Sequence, residues 1–134
     1  MTPTAPPRAA ILSVGDELVL GQTLDTNSQW LSQRLLDAGL PVVEHATLPD
    51  DLGTMVSTLR RLTATVDVIL ITGGLGPTAD DLTRDALATA LDEPLVEDAG
   101  AVDHLRQWFI GRPMPEANLV QARRPRSATC IPNP

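Results

Sequence analysis

The chain has 134 residues, 43% of them hydrophobic, which suits one domain with one core; Trp30, Trp108 and Phe109 are its only aromatics, so aliphatic side chains must build that core. Seventeen acidic residues face ten basic ones, a net charge of −7 that argues against nucleic acid, a partner that wants basic patches and stacking faces. All ten basic residues are arginine, and the absence of lysine excludes a Walker-type phosphate loop, a Schiff-base lysine and a lysine general base.

In chain order, residues 1–7 hold three prolines and read as a disordered tail, without the cationic start and apolar centre of a secretory signal. "AAILSV", residues 9–14, is a short apolar run ended by Gly15, the pattern of a buried strand. A loop over residues 15–25 leads to a helix starting near Thr26. There Thr26 and Gln29 have capping-box spacing, and Asn27 is a second candidate cap. Leu31, Leu35 and Ala38 mark its apolar face, Gly39 its C-terminal cap, and Pro41 blocks its continuation. "VVEHATL", 42–48, reads as a second strand. Asp50 or Asp51 caps the next helix, whose apolar stripe is Leu52, Met55, Val56, Leu59 and Leu62. "DVILIT", 67–72, then reads as a fully buried strand.

A glycine-rich loop follows, and then a helix over about residues 81–91 that buries Leu82, Ala86, Leu87 and Ala90 and stops before Pro94. Further helices are expected over about 99–110 and 116–123, and a strand at "SATCI", 127–131. No apolar stretch approaches a membrane span. The single Cys130 cannot form an internal disulfide, which fits a reducing cytoplasm. Strands alternating with helices predict an α/β domain with a mainly parallel sheet and right-handed crossovers. Ligands in such sheets bind beyond the carboxyl ends of the strands, where three loops lie: 15–25, 48–51 and 73–80.

The third of these loops carries the most chemistry. Gly73, Gly74 and Gly76 tolerate positive φ, and successive amides in such a turn form an anion-binding concavity, aided by the N-terminal dipole of the following helix. The same glycines equally serve a tight strand-to-helix turn with no ligand. Asp80 and Asp81 are each candidate N-caps; the other reading is a divalent cation held between a carboxylate and phosphate oxygens, as magnesium is bound. With Asp16 beside Glu17 and Asp50 beside Asp51, three acidic pairs would face one crevice. Metal-assisted cleavage of a phosphate ester or pyrophosphate uses such parts, although each pair alone reads as a solvated loop or a cap. His45 and His104 lack partners at ligand spacing and read as structural; Arg123, Arg124 and Arg126 read as a solvated run.

"ILSVGDELVLGQTLDTNSQWLSQRL" followed by "ITGGLGPTADDLTRDAL" resembles the N-terminal domain of the CinA family, the competence- and damage-inducible proteins, a domain similar to the molybdopterin-binding MogA/MoaB domains. The match covers roughly residues 8–134 and rests on V-G-x-E-L-x-x-G with Asn27, and on G-G-x-G-P-T-x-D-D-x-T. The resemblance implies a three-layer α/β/α fold of MogA/MoaB type. It implies a metal-dependent pyrophosphatase that hydrolyses ADP-ribose, or a similar nucleoside diphosphate sugar, to AMP and ribose 5-phosphate. A divalent metal (magnesium, cobalt or nickel) and potassium would assist. Carried over residue by residue, it sets Gly73, Gly74, Gly76, Thr78 and Asn27 against the substrate, Asp81, Asp50 and Glu17 in catalysis, and Asp81 with Asp80 on the metal. In the MogA-like relatives the same pocket holds molybdopterin or transfers adenylate to it. Molybdopterin binding or adenylylation is therefore the alternative, and a non-catalytic oligomerisation module the third reading. A cytoplasmic protein that self-associates is also implied. In the family, P-N-P is usually followed by a glycine-rich turn and further strands and helices, so the domain is expected to be cut short at Pro134. Part of the sheet and one pocket wall would be missing, and so would the deamidase domain that many members carry.

Overall fold

The computed structural model describes residues 5–132; residues 1–4 of the expected tail, and residues 133–134, lie outside the described residues. Strand β1 (Ala9–Val14) is buried at every position. An apolar run with no polar face is satisfied only at the centre of a sheet covered on both sides. Accordingly β1 lies between β2 (Val42–Leu48) and β3 (Val68–Thr72), parallel to both, in the order β2-β1-β3.

Alternation along the strand sends successive side chains to opposite faces. On one face Ala10, Leu12 and Val14 pack with Met55, Leu59 and Leu62 of helix α3 (Leu52–Thr63) and with Ala86 of α4 (Thr83–Ala90). On the other, the Ser13 hydroxyl meets Ser28 of α2 (Thr26–Asp37) at 2.8 Å, so the one polar side chain inside β1 is paired. The result is three layers, with α2 on one side of the parallel sheet and α3 with α4 on the other, the α/β/α arrangement expected. A smaller two-stranded antiparallel ribbon joins β4 (Leu95–Glu97) to β5 (Arg123–Pro125), with α5 (Ala99–Trp108) and a 3₁₀ helix (Glu116–Ala122) between them. No helix among the described residues is long and apolar enough to cross a membrane.

Several local expectations hold: Asp51 caps α3 by accepting from the Thr54 amide at 2.8 Å, and Gly39, at φ +77°, follows the last residues of α2. Others are corrected. Asp25, not Thr26 or Asn27, caps α2, because its carboxylate accepts from the Ser28 amide at 3.0 Å. The first loop contains a short helix, α1 (Asp16–Val19). Strand β3 is only partly buried, since it forms an edge of the sheet: Ile69 and Ile71 touch the core, but its outer side carries no strand among the described residues. Residues 127–131 form no strand. Arg124 instead pairs with Asp98 (Nε to Oδ2, 2.8 Å), so that β5 begins four residues earlier, and the Ala128 amide turns back to the Pro125 carbonyl. Trp30 and Trp108 are 60% and 69% exposed, so the core is aliphatic, as composition requires.

Leu62 has no exposed surface and sits where α3 meets β1. Leu62→Ala is expected to destabilise the fold by about 3 kcal/mol, read as a lower urea midpoint with an unchanged slope.

Candidate functional site

The loop after β1 leads to α2 on one face of the sheet, and the loop after β3 leads to α4 on the other. Where neighbouring parallel strands send their chains to opposite faces, a crevice opens at their carboxyl ends. A cleft of 250 Å³ lies there, lined by Val14, Glu17, Asn27, Thr72 and Gly73 among others. A second cleft, of 290 Å³, is lined by Thr78, Asp81, Arg84, Val120 and Arg123 among others. The glycine loop borders both. Of the residues singled out from sequence, Glu17, Asn27 and Gly73 meet in the first cleft, and Thr78 and Asp81 in the second.

The glycines are needed for reasons internal to the protein. Gly73 and Gly74 have φ of +86° and +63°, a conformation that strains any residue with a Cβ. A Cβ on Gly73 would strike the Val14 carbonyl oxygen, one on Gly74 the Thr83 hydroxyl, and one on Gly76 the Asp81 carboxylate. The space beside these Cα atoms is therefore filled by the fold, not left open for a ligand to approach them. The loop also leaves amide hydrogens unpaired: among the described residues, the amides of Gly74 and Leu75 have no protein acceptor.

The carbonyls of Gly73, Gly74, Leu75 and Gly76, by contrast, are all taken by the start of α4. Gly73 accepts from the Thr83 hydroxyl at 2.8 Å, and Gly74 from the Thr83 amide at 3.1 Å. The Arg84 guanidinium donates to Leu75 at 2.7 Å and to Gly76 at 2.6 Å. Thr83 belongs to the D-x-T element, but its contact with the loop carried no sequence signal. Arg84 had none at all, since it is a single arginine in a helical run.

Carboxylates from all three loops meet around Asp50, which feels Asp16, Glu17 and Asp80, whereas Asp51 is spent on the α3 cap. Asp16 and Asp50 exchange bonds, the Asp50 amide donating to the Asp16 carboxylate at 3.0 Å and the Asp16 amide to Asp50 at 3.3 Å. Burial, then the charges of Asp16, Asp80 and Glu17, hold the Asp50 carboxyl above its ordinary value, against the bond from the Asp16 amide. Neither Asp80 nor Asp81 is the expected N-cap: α4 begins two residues after Asp81 with no side-chain cap. Asp81 instead accepts from the Thr78 hydroxyl and from the Thr78 amide at 2.9 Å. The hydroxyl's pull, outweighing partial burial, together with the Thr78 and Gly76 amides and the Arg84 charge, keeps its carboxyl below its ordinary value. The same Thr78 hydroxyl lies 2.6 Å from Asp80, so the two aspartates stand on one side-chain oxygen. Among the described residues, no three His, Cys, Asp or Glu side chains gather as a ready-made metal cage. The donor set is all carboxylate oxygen, which suits a hard cation that takes one or two carboxylates and completes its shell with phosphate oxygens and water.

Asp25 was not among the expected site residues. Burial tends to raise its carboxyl, but bonds from Ser13 and Ser28 and the charge of His45 outweigh it and hold it low. His45 itself bonds the Ser32 hydroxyl at 2.7 Å, a structural role, as expected. The basic run is not a solvated surface throughout: Arg124 is tied to Asp98, and Arg123 lines the second cleft.

A protein-family model described as a probable molybdopterin binding domain matches residues 10–129. A CinA-like protein of Geobacter metallireducens is 44% identical over 129 residues, covering 95% of this chain and 31% of that protein. One from Shewanella loihica is 41% identical over 126 residues, 92% of this chain and 30% of that protein. The chain thus spans about a third of the length of the CinA-like relatives it matches. Among solved structures, the protein CinA of Thermoplasma acidophilum superposes with a TM-score of 0.90 at 28% identity, over 96% of this chain and 76% of that one. The molybdopterin biosynthesis enzyme MoaB of Thermus thermophilus gives 0.57 at 30% identity, over 84% of this chain and 70% of that one.

Two outcomes follow from this geometry. Gly73→Ala meets both a left-handed backbone and the Val14 carbonyl, whereas Gly21→Ala meets only the backbone strain, since nothing lies within 4 Å of its Cβ. Thermal melts should show Gly21→Ala costing about 1 kcal/mol and Gly73→Ala at least twice that. Asp50→Asn removes a carboxylate that its neighbours oppose while keeping an acceptor for the Asp16 amide. A carboxyl held above its ordinary value adds stability below that value and loses it as pH rises through the raised one. With chelator present, the variant should therefore melt about 2 °C higher than the natural chain at neutral pH, the difference shrinking as the pH falls toward 3.8.

Proposed function

The chain belongs to the family of probable molybdopterin binding domains, and on that premise we propose that it binds a nucleoside diphosphate sugar, ADP-ribose foremost, at the glycine-loop crevice and hydrolyses its pyrophosphate link. The observation that carries this reading is the pairing of free Gly74 and Leu75 amides with carboxylates from three loops and no lysine. Amide hydrogens hold phosphate oxygens without a side-chain cation. The carboxylates repel a bare diphosphate and so call for a bridging divalent ion. Asp81 with Asp80 would hold that ion, which when bound supplies charge neutralisation and Lewis acidity at the phosphates.

The remaining roles fall to neighbouring side chains. Asp50, its carboxyl raised, is suited to take the proton of the attacking water. Water oxygen then forms a bond to one phosphorus as the bridging P–O bond breaks, giving AMP and ribose 5-phosphate. Glu17 and Asn27, which both line the 250 Å³ cleft, would meet the ribose hydroxyls. ADP-ribose is the substrate to try first because the resemblance of the two glycine-bearing motifs to the CinA family implies it. The family's description and the likeness to MoaB favour a second reading, molybdopterin as the ligand, because its phosphate would meet the same amides.

Chromatographic detection of AMP after incubation with ADP-ribose and magnesium or cobalt tests the first reading. Turnover is expected from the natural chain, and a loss of about 100-fold in Asp81→Asn, the scale on which one preorganised electrostatic group acts. A folded chain that releases no AMP, or an Asp81→Asn variant at full rate, overturns it. Calorimetry that finds molybdopterin bound more tightly than ADP-ribose would favour the second reading.

A further inference from the structure

We propose that Thr83 and Arg84 are positioning residues that set the orientation of the glycine loop's peptide planes and thereby aim the Gly74 and Leu75 amides away from α4 and out of the protein. This deepens the reading above and rests on the loop as the phosphate-binding element. The argument is geometric. In a planar trans peptide, the carbonyl of one residue and the amide of the next point in opposite directions, and the described residues contain no cis peptide. Four successive carbonyls, from Gly73 to Gly76, are bound by two adjacent residues of α4. Each bond turns the following amide away from the helix. The amides concerned are those of Gly74, Leu75 and Gly76, because Pro77 has none. The Gly76 amide is directed at the Asp81 carboxylate, which leaves Gly74 and Leu75 free.

The cost of this arrangement supports a positioning role. Arg84 lies in the first turn of α4, where the helix dipole disfavours a cation. It is partly buried, and that burial lowers its pKa against the pull of Asp81 and Asp85. Its two bonds go to neutral carbonyls and not to a facing carboxylate. An arginine placed against the dipole and against burial is a local conflict of the kind found at functional sites. A glycine loop with two positive-φ residues has many accessible backbone states, and a planar fork with fixed donors selects one of them. Thr83 does the same from its hydroxyl and amide together.

The test is a backbone-amide NMR titration of the full chain with magnesium pyrophosphate, alongside thermal melts. In the natural chain the Gly74 and Leu75 resonances should shift most. Arg84→Ala should bind about tenfold more weakly, the equivalent of one lost charge-assisted hydrogen bond, with added guanidinium restoring part of the shift. Arg84→Lys should fall between, having a point charge without the fork. Thr83→Ser should bind as the natural chain does, and Thr83→Val should not. Unchanged affinity in Arg84→Ala and Thr83→Val, whatever their melting temperatures, overturns the positioning role while leaving the phosphate site intact. Absence of any Gly74 or Leu75 shift in the natural chain removes the amide site itself, and the inference with it. Binding is read here without turnover, so a chain that binds pyrophosphate but releases no AMP fails only the hydrolase reading.

Discussion

The complete burial of β1 is the constraint around which the molecule is arranged. A six-residue strand with no solvent-facing side must have a strand on each edge and helices on each face. Ser13 is admitted only because it pairs with the Ser28 hydroxyl, which is itself bonded to Asp25. Once β1 is central, its carboxyl end is necessarily deep in the sheet, and Val14 and Gly15 deliver the chain to the base of a crevice. The Val14 carbonyl then sits against the Gly73 Cα, so the end of one central strand dictates which residue can follow the next. Packing in the core and geometry at the site are the same contact seen from two sides.

The glycine loop has a polarity that follows from this packing. Its carbonyls turn inward to Thr83 and Arg84, its free amides turn away, and acidic side chains from three loops stand around it. A surface of amide hydrogens beside carboxylates has a use when phosphate oxygens and a hard cation arrive together. Either alone is poorly matched, since the carboxylates repel a bare anion. The reciprocal bonds between Asp16 and Asp50 hold two of these loops together although their side chains repel, because each carboxylate accepts the other's backbone amide. That lets like charges gather without an intervening arginine.

Much of this was legible beforehand, and for identifiable reasons. The periodicity of Met55, Leu59 and Leu62 marks a buried helical stripe, and the apolar run at 9–14 marks a central strand. The order of strands and helices places three loops at one edge. The misreadings share a cause. Asp25, Asp51, Asp80 and Asp81 are all acceptable caps locally, and which of them caps depends on which amide lies within reach. Asp81 was claimed by Thr78 before it could cap α4. "DVILIT" carries as long an aliphatic run as a buried strand needs, yet sits at an edge of the sheet among the described residues, because hydrophobicity reports what a strand can bury and not which neighbours it has. Arg124 was assigned to solvent because its partner, Asp98, is 26 residues away.

The amino-acid sequence by itself determined the class of fold, the central strand, the aliphatic core and the lysine-free acidic character of the site, since these depend on residue type and on spacing within single elements. Only the tertiary structure decided which aspartate does what, that Glu17 and Asn27 share a cleft with Gly73, and that Thr83 and Arg84 grip the loop. Those facts are distances between residues far apart in the chain or peptide orientations within a turn. They are fixed when the helices and loops close on β1, and no local pattern encodes them.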